Sequence, residues 1–217
     1  MQLVVPNIVK IKIAILFGIT LFGQPILAES ADTTVKKIEE RIELIKASSE
    51  LVNIDYRILC SIIYTERTLN FNWEDEAFDM IGVISGLNSS MGFCQIKIKT
   101  AYWIEKQLNN YKSIFYSGDK YKDVLSISSN KNELIVKIVD DKFNILYAAA
   151  YLRIMISRWE KEKVNISNRP DILATLYSTG LFYQDGTERF PNSNPKANDF
   201  GKKAMEIFNQ VFFKYPN

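Results

Sequence analysis

Ile58-Leu59-Cys60-Ser61-Ile62-Ile63-Tyr64-Thr65-Glu66-Arg67 is an apolar run that closes on an acid, and its reading decides the fold. Asp55 stands ahead of it as an N-cap, and the spacing predicts a helix from there to about Leu69. Apolar side chains on most faces of that helix make it a central, buried one. Glu66 falls in about its last turn. Further on, Ser89-Ser90-Met91-Gly92-Phe93-Cys94-Gln95-Ile96 reads as a tight glycine turn leading into an amide.

Working outward, Thr33 to about Ser49 predicts an amphipathic helix, with Val35, Ile38, Ile42 and Ile45 at helical spacing. From Asn70 to Ser90 the helical period is lost. Glu74, Asp75, Glu76 and Asp79 cluster there, Met80–Ser85 is strand-like and Gly86-Leu87-Asn88 turn-like, so a small hairpin or ordered loop is expected. A third helix is predicted from Thr100 to about Asn109. The polar stretch from Tyr111 to Asn130 reads as a surface excursion. Helical pattern resumes near Asn132. The strongest helix is predicted from about Lys142 to Lys161, opened by Asn144-Ile145 and carrying Tyr151-Leu152 on its apolar stripe. A short helix starts at Asp171 and runs through Leu176-Tyr177 to a stop at Gly180. Residues 183–198 are turn-rich, and a last amphipathic helix is expected from Asp199 to about Phe213. The fold class expected is mainly α with a small β-hairpin, in one domain spanning 29–217.

The first 28 residues read differently. Lys10 and Lys12 precede the apolar run Ile13–Gly23, a break at Gln24-Pro25 follows, and Ala28 closes the segment. That is the pattern of a signal peptide cut after Ala28, and it predicts an exported protein, periplasmic or secreted. No Cys stands directly after the cut, so no lipid anchor is expected there. The other reading is an uncleaved N-terminal anchor, but with cleavage no stable membrane anchor remains, and a monomer is expected. The whole chain has 27 Lys and Arg against 25 Asp and Glu. Loss of Lys10 and Lys12 brings the balance close to zero, which argues against nucleic acid as a partner.

The chain has no histidine. That excludes a Ser-His-Asp triad, a Cys-His pair and an HExxH metal site. Cys60 and Cys94 alone cannot build a typical zinc site; an exported chain could pair them in a disulfide, and they otherwise read as two small buried hydrophobes. No Walker-type phosphate loop occurs, and no metal or other cofactor is expected. Carboxylate acid–base chemistry remains. Burial among Ile62, Ile63 and Tyr64 would favour the protonated form of Glu66, the state a general acid needs. By itself this is a thin signal, because a Glu near a helix end is ordinarily solvated.

Four ordered segments add context. They are Ile62-Ile63-Tyr64-Thr65-Glu66; Gly92-Phe93-Cys94-Gln95-Ile96 with Lys99-Thr100-Ala101; Asn144-Ile145 with Ala149-Ala150-Tyr151-Leu152; and Leu176-Tyr177-Ser178-Thr179-Gly180. Together they resemble the lytic transglycosylases, bacterial relatives of goose-type lysozyme, over about residues 50–185. The resemblance implies a lysozyme-like fold and cleavage of peptidoglycan glycan strands. Glu66 would be the sole catalytic acid and base. It would protonate the oxygen between N-acetylmuramic acid and N-acetylglucosamine, then take the proton of the muramoyl 6-hydroxyl as a 1,6-anhydro ring closes. Gln95 and Tyr177 would sit near the acid and the sugar, with Ser90 and Ser178 as further substrate contacts. Gln95 reads equally as an amide that stabilises its own turn. Tyr177 also reads as a core ring with its hydroxyl on backbone. Tyr151 reads as core.

The chain departs from the family at Arg67, where a Ser is usual, at Cys94, where Met is usual, and at Ser178, where Asn is usual. The stretch between Glu66 and Gly92 is also longer than usual, so Ser85, Ser89 and Ser90 all qualify as the serine near the acid. Two alternatives stay open. One is a hydrolytic lysozyme with a second carboxylate from 74–79, which retention would place about 5–5.5 Å and inversion about 6.5–9.5 Å from the first. The other is an inactive glycan-binding envelope scaffold. Lys97 and Lys99 stand where goose-type lysozymes carry an acid, which favours the transglycosylase.

Overall fold

A computed structural model describes residues 29–69 and 90–210. The expected signal segment, the acids of 74–79, the strand-like 80–85, Ser85 and Ser89 lie outside the described residues. Those described form eight α-helices and one two-stranded antiparallel ladder: mainly helical, with a small β element. The helices are α1 (Ala31–Glu39), α2 (Ile42–Leu51), α3 (Tyr56–Leu69), α4 (Ile98–Asn109), α5 (Lys131–Val139), α6 (Asp141–Lys161), α7 (Pro170–Thr179) and α8 (Asp199–Asn209). The strands are β1 (Ser90–Met91) and β2 (Ile96–Lys97), with Ser90 opposite Lys97 and Met91 opposite Ile96. None of the described helices is long and apolar enough to cross a membrane.

The apolar run is central, as its composition requires. Ile58, Leu59, Cys60, Ile62 and Ile63 of α3 are all buried. Asp55 accepts a hydrogen bond from the Arg57 amide at the start of this helix. The long helix α6 is buried from Asn144 to Trp159, and its N-cap is Asp140, which accepts from the Phe143 amide. The helix ending at Gly180 is closed by that residue in the positive-φ region, with its amide on the Leu176 carbonyl.

Two expectations are corrected. The single helix predicted over Thr33–Ser49 is two, broken at Glu40-Arg41. The apolar spacing continues across the break, because Ile38 and Ile45 both reach the core. Arg41 leaves helical geometry there, and its side chain pairs with Asp141 of α6 at 2.7 Å. The β element described lies at 90–97, flanking the glycine turn, and the hairpin expected ahead of it falls on 80–88, outside the described residues. Second, the stretch 111–130 is more than a surface excursion, since it buries Phe115, Tyr121 and Leu125.

A buried carboxylate anchors that stretch. Glu105 of α4 is 0 % exposed. It accepts from the Ser128 amide and hydroxyl, each at 2.7 Å, from the Tyr147 hydroxyl, and from Lys137 Nζ at 3.3 Å. A buried charge is tolerated only when paired and hydrogen-bonded, and these donors come from the loop, α5 and α6. The network therefore ties the stretch to three helices.

Candidate functional site

The site forms where α3, the β1–β2 turn, α7 and α8 meet. Glu66, in the last turn of α3, is half-buried. Among the described residues it shares a cavity of about 250 Å³ with Leu69, Ser178 and Phe200. Ser178 is on α7, and Phe200 is on the first turn of α8. Gly201 explains how α8 comes so close. A Cβ there would lie 2.2 Å from the Asp171 carbonyl oxygen and from Thr175 Oγ1, so only glycine permits the approach. Asn198 holds the same junction. Its Oδ1 caps α8 by accepting from the Gly201 amide, and its Nδ2 donates to Ser178 Oγ at 3.2 Å.

The turn from Gly92 to Gln95 is built around Asn144, at the start of the buried helix α6. Asn144 Oδ1 accepts from the Cys94 amide at 2.6 Å. Its Nδ2 donates to the carbonyls of Met91 at 2.9 Å and Ile138 at 2.8 Å. Three backbone groups with no partner in the ladder are thus satisfied by one side chain. Tyr177 binds the same residue from the other side, its hydroxyl donating to the Cys94 carbonyl at 2.7 Å. Burial pushes that hydroxyl well above the usual phenol range, and the neighbouring Cys94 and Glu66 push it the same way. Segments far apart in the chain therefore converge on the backbone of Cys94.

The predicted site residues fare differently. Glu66 and Ser178 share the cavity, and Tyr177 lies within the influence of the acid. The Gln95 amide folds back, with Nε2 donating to the Gly92 carbonyl at 3.1 Å, and the residue sits at φ 53°. Of its two readings, that geometry matches the turn-stabilising one. Ser90 opens β1 opposite Lys97 and is not among the described residues that line the cavity. Tyr151 is core, its ring 5.9 Å from that of Tyr177. Cys60 and Cys94 are buried and unpaired, and burial pushes both thiols up.

Sequence reading missed three contributors. Leu69 and Phe200 form walls of the cavity, and nothing in local pattern distinguishes them from other apolar helix residues. Asn144 carried a usable signal, because an amide within an apolar helix face must find buried partners. Comparison with protein-family models, curated proteins and solved structures found no match.

The Tyr177 hydroxyl offers a direct test of its role. Tyr177→Phe removes one hydrogen bond to a carbonyl that no longer has its donor, and should cost about 1–3 kcal/mol in chemical unfolding. If Tyr177 instead served only as a sugar contact, stability would be unchanged and only KM would rise.

Proposed function

We propose that this chain cleaves the glycan strands of bacterial peptidoglycan between N-acetylmuramic acid and N-acetylglucosamine, as a lytic transglycosylase with a lysozyme-like fold. One observation carries the reading. The segments that resemble the family meet at Cys94, held by Asn144 and Tyr177, while Glu66 and Ser178 open onto one cavity. Residues that resemble a family motif by chance would have no reason to converge.

Glu66 is the acid and then the base. Leu69 and Phe200 line the cavity beside it. It donates that proton to the glycosidic oxygen as the bond to the muramoyl anomeric carbon breaks. The resulting carboxylate takes the proton of the muramoyl 6-hydroxyl, whose oxygen bonds to the anomeric carbon and closes the 1,6-anhydro ring. The acid is regenerated, and neither water nor a second carboxylate is consumed.

The departures from the family pattern fit this reading. At Cys94 the backbone does the binding, so the change of side chain leaves it intact. Ser178 still faces the acid. Arg67 turns away into the protein, onto Glu29 and Phe93. The substrate lies outside the cytoplasm, in keeping with export by residues 1–28.

The experiment is digestion of purified sacculi followed by mass spectrometry of the soluble fragments. Anhydro-muropeptides are expected. Reducing-end products would replace the lyase with a hydrolase and turn attention to the acids of 74–79. Binding without release would leave a glycan-binding scaffold.

A further inference from the structure

Arg67 follows the candidate acid directly, yet it is 3 % exposed and holds a different part of the molecule. Its Nε and Nη2 donate to the two carboxylate oxygens of Glu29, at 2.5 and 3.2 Å. Its Nη1 donates to the Phe93 carbonyl at 3.3 Å, and its guanidinium carbon lies 5.0 Å from the centre of the Phe93 ring. Phe93 is the second residue of the turn that Asn144 and Tyr177 grip. A second cation meets the same ring, with the Arg41 guanidinium 4.7 Å from its centre. Each arginine has its own acid: Glu29 for Arg67, and Asp141 for Arg41.

Glu29 is itself fixed on several sides. Its amide donates to the Arg67 carbonyl at 3.1 Å. Its carboxylate accepts from Thr34 Oγ1 at 3.0 Å and pairs with Lys37 at 2.6 Å. Burial raises its pKa, but the hydrogen bonds from Arg67 and Lys37 and the Arg67 charge outweigh that and hold it at about 2. The carboxylate is therefore ionised throughout the neutral range. A buried guanidinium keeps one orientation only if a fixed anion holds it there.

We propose that Glu29 is a positioning residue for the candidate acid: it holds Arg67 against Phe93, and so fixes the Gly92–Gln95 turn beside Glu66. The chain ahead of α1 thereby becomes part of the site, although it is not among the described residues that line the cavity. Its kinetic consequence rests on the glycan-cleaving reading of Glu66. Its structural consequence does not.

Two readouts in the full-length protein separate these. In Glu29→Gln, kcat on sacculi should fall about tenfold with KM within about twofold, as expected when catalytic geometry loosens and substrate binding does not. Glu29→Asp, which keeps the charge, should recover most of that loss. Glu29→Gln/Arg67→Met removes both charges and leaves no buried guanidinium unpaired. It should melt closer to wild type than Glu29→Gln does, yet keep the low kcat, since nothing then holds the Phe93 carbonyl. Wild-type kcat in the double variant would overturn the proposal. Independently of activity, hydrogen exchange of the amides in 90–97 should speed up by about tenfold in Glu29→Gln, relative to those of α5. Unchanged exchange at 90–97 would overturn it too. Were no form of the protein to cleave sacculi, the glycan reading would fail, and the exchange measurement would still decide the clamp.

Discussion

Glu66→Gln is expected to abolish release of soluble muropeptides, lowering turnover about a thousandfold, within the range that a single general acid–base group supplies. The amide has nearly the shape of the carboxyl but cannot deliver a proton to the leaving oxygen or accept one from the 6-hydroxyl. Under the proposed single-acid scheme both halves of the reaction are lost, because one group serves both. Glu66 is half-buried at the end of its helix, so folding should change by no more than about 1 kcal/mol. Thermal unfolding checks the fold, and fragment release from sacculi checks the chemistry. Activity within a few-fold of wild type would remove Glu66 from the mechanism and with it the single-acid scheme.

The second large effect is on stability. Gly92 has φ 71°, and a Cβ there would lie 2.4 Å from Asn144 Nδ2 and 2.6 Å from both Asn144 Cγ and the Ile138 carbonyl oxygen. The left-handed backbone alone costs alanine about 1 kcal/mol. The clash adds more, because neither neighbour can yield cheaply. Asn144 is buried and committed to three backbone groups, and the Ile138 carbonyl is one of its partners. Moving Asn144 leaves the Cys94 amide and the Met91 carbonyl unsatisfied, at about 1–3 kcal/mol each. Gly92→Ala should therefore destabilise the protein by about 3–5 kcal/mol and lower its melting temperature by roughly 10 °C or more. Denaturant unfolding measures it. A loss under about 1 kcal/mol would mean that Asn144 is not the fixed post of this turn.

These two predictions draw on different levels of legibility. Glu66 stood out because of its own sequence neighbours, an acid closing an apolar run in a chain without histidine. Gly92 stood out as a turn residue. That it faces Asn144, and that Asn144 cannot move, depends on residues about fifty positions apart and could not be read from either segment. Gln95 shows the same limit. Its segment was legible as a turn into an amide, but the direction of that amide follows from the carbonyl of Gly92 being available to it. Ser90 was a candidate by spacing; in the structure it opens β1 opposite Lys97 and is not among the described residues lining the cavity. Arg67 read as a departure from a motif. In the structure its buried guanidinium serves the turn instead.

Sequence alone determined the helices α3, α6 and α7 to within about two residues, because their causes are local: apolar period, an acidic cap, a glycine stop. It also determined that a lone carboxyl was the group to examine. Tertiary structure alone decided the break at Arg41, the burial of Phe115, Tyr121 and Leu125, and which walls the acid would have. Those outcomes depend on pairings between distant parts of the chain, such as Arg41 with Asp141, Glu105 with Ser128 and Gly201 against Asp171. A buried charge or an unsatisfied backbone group takes the partner that the fold brings to it, and local pattern carries no record of which one that will be.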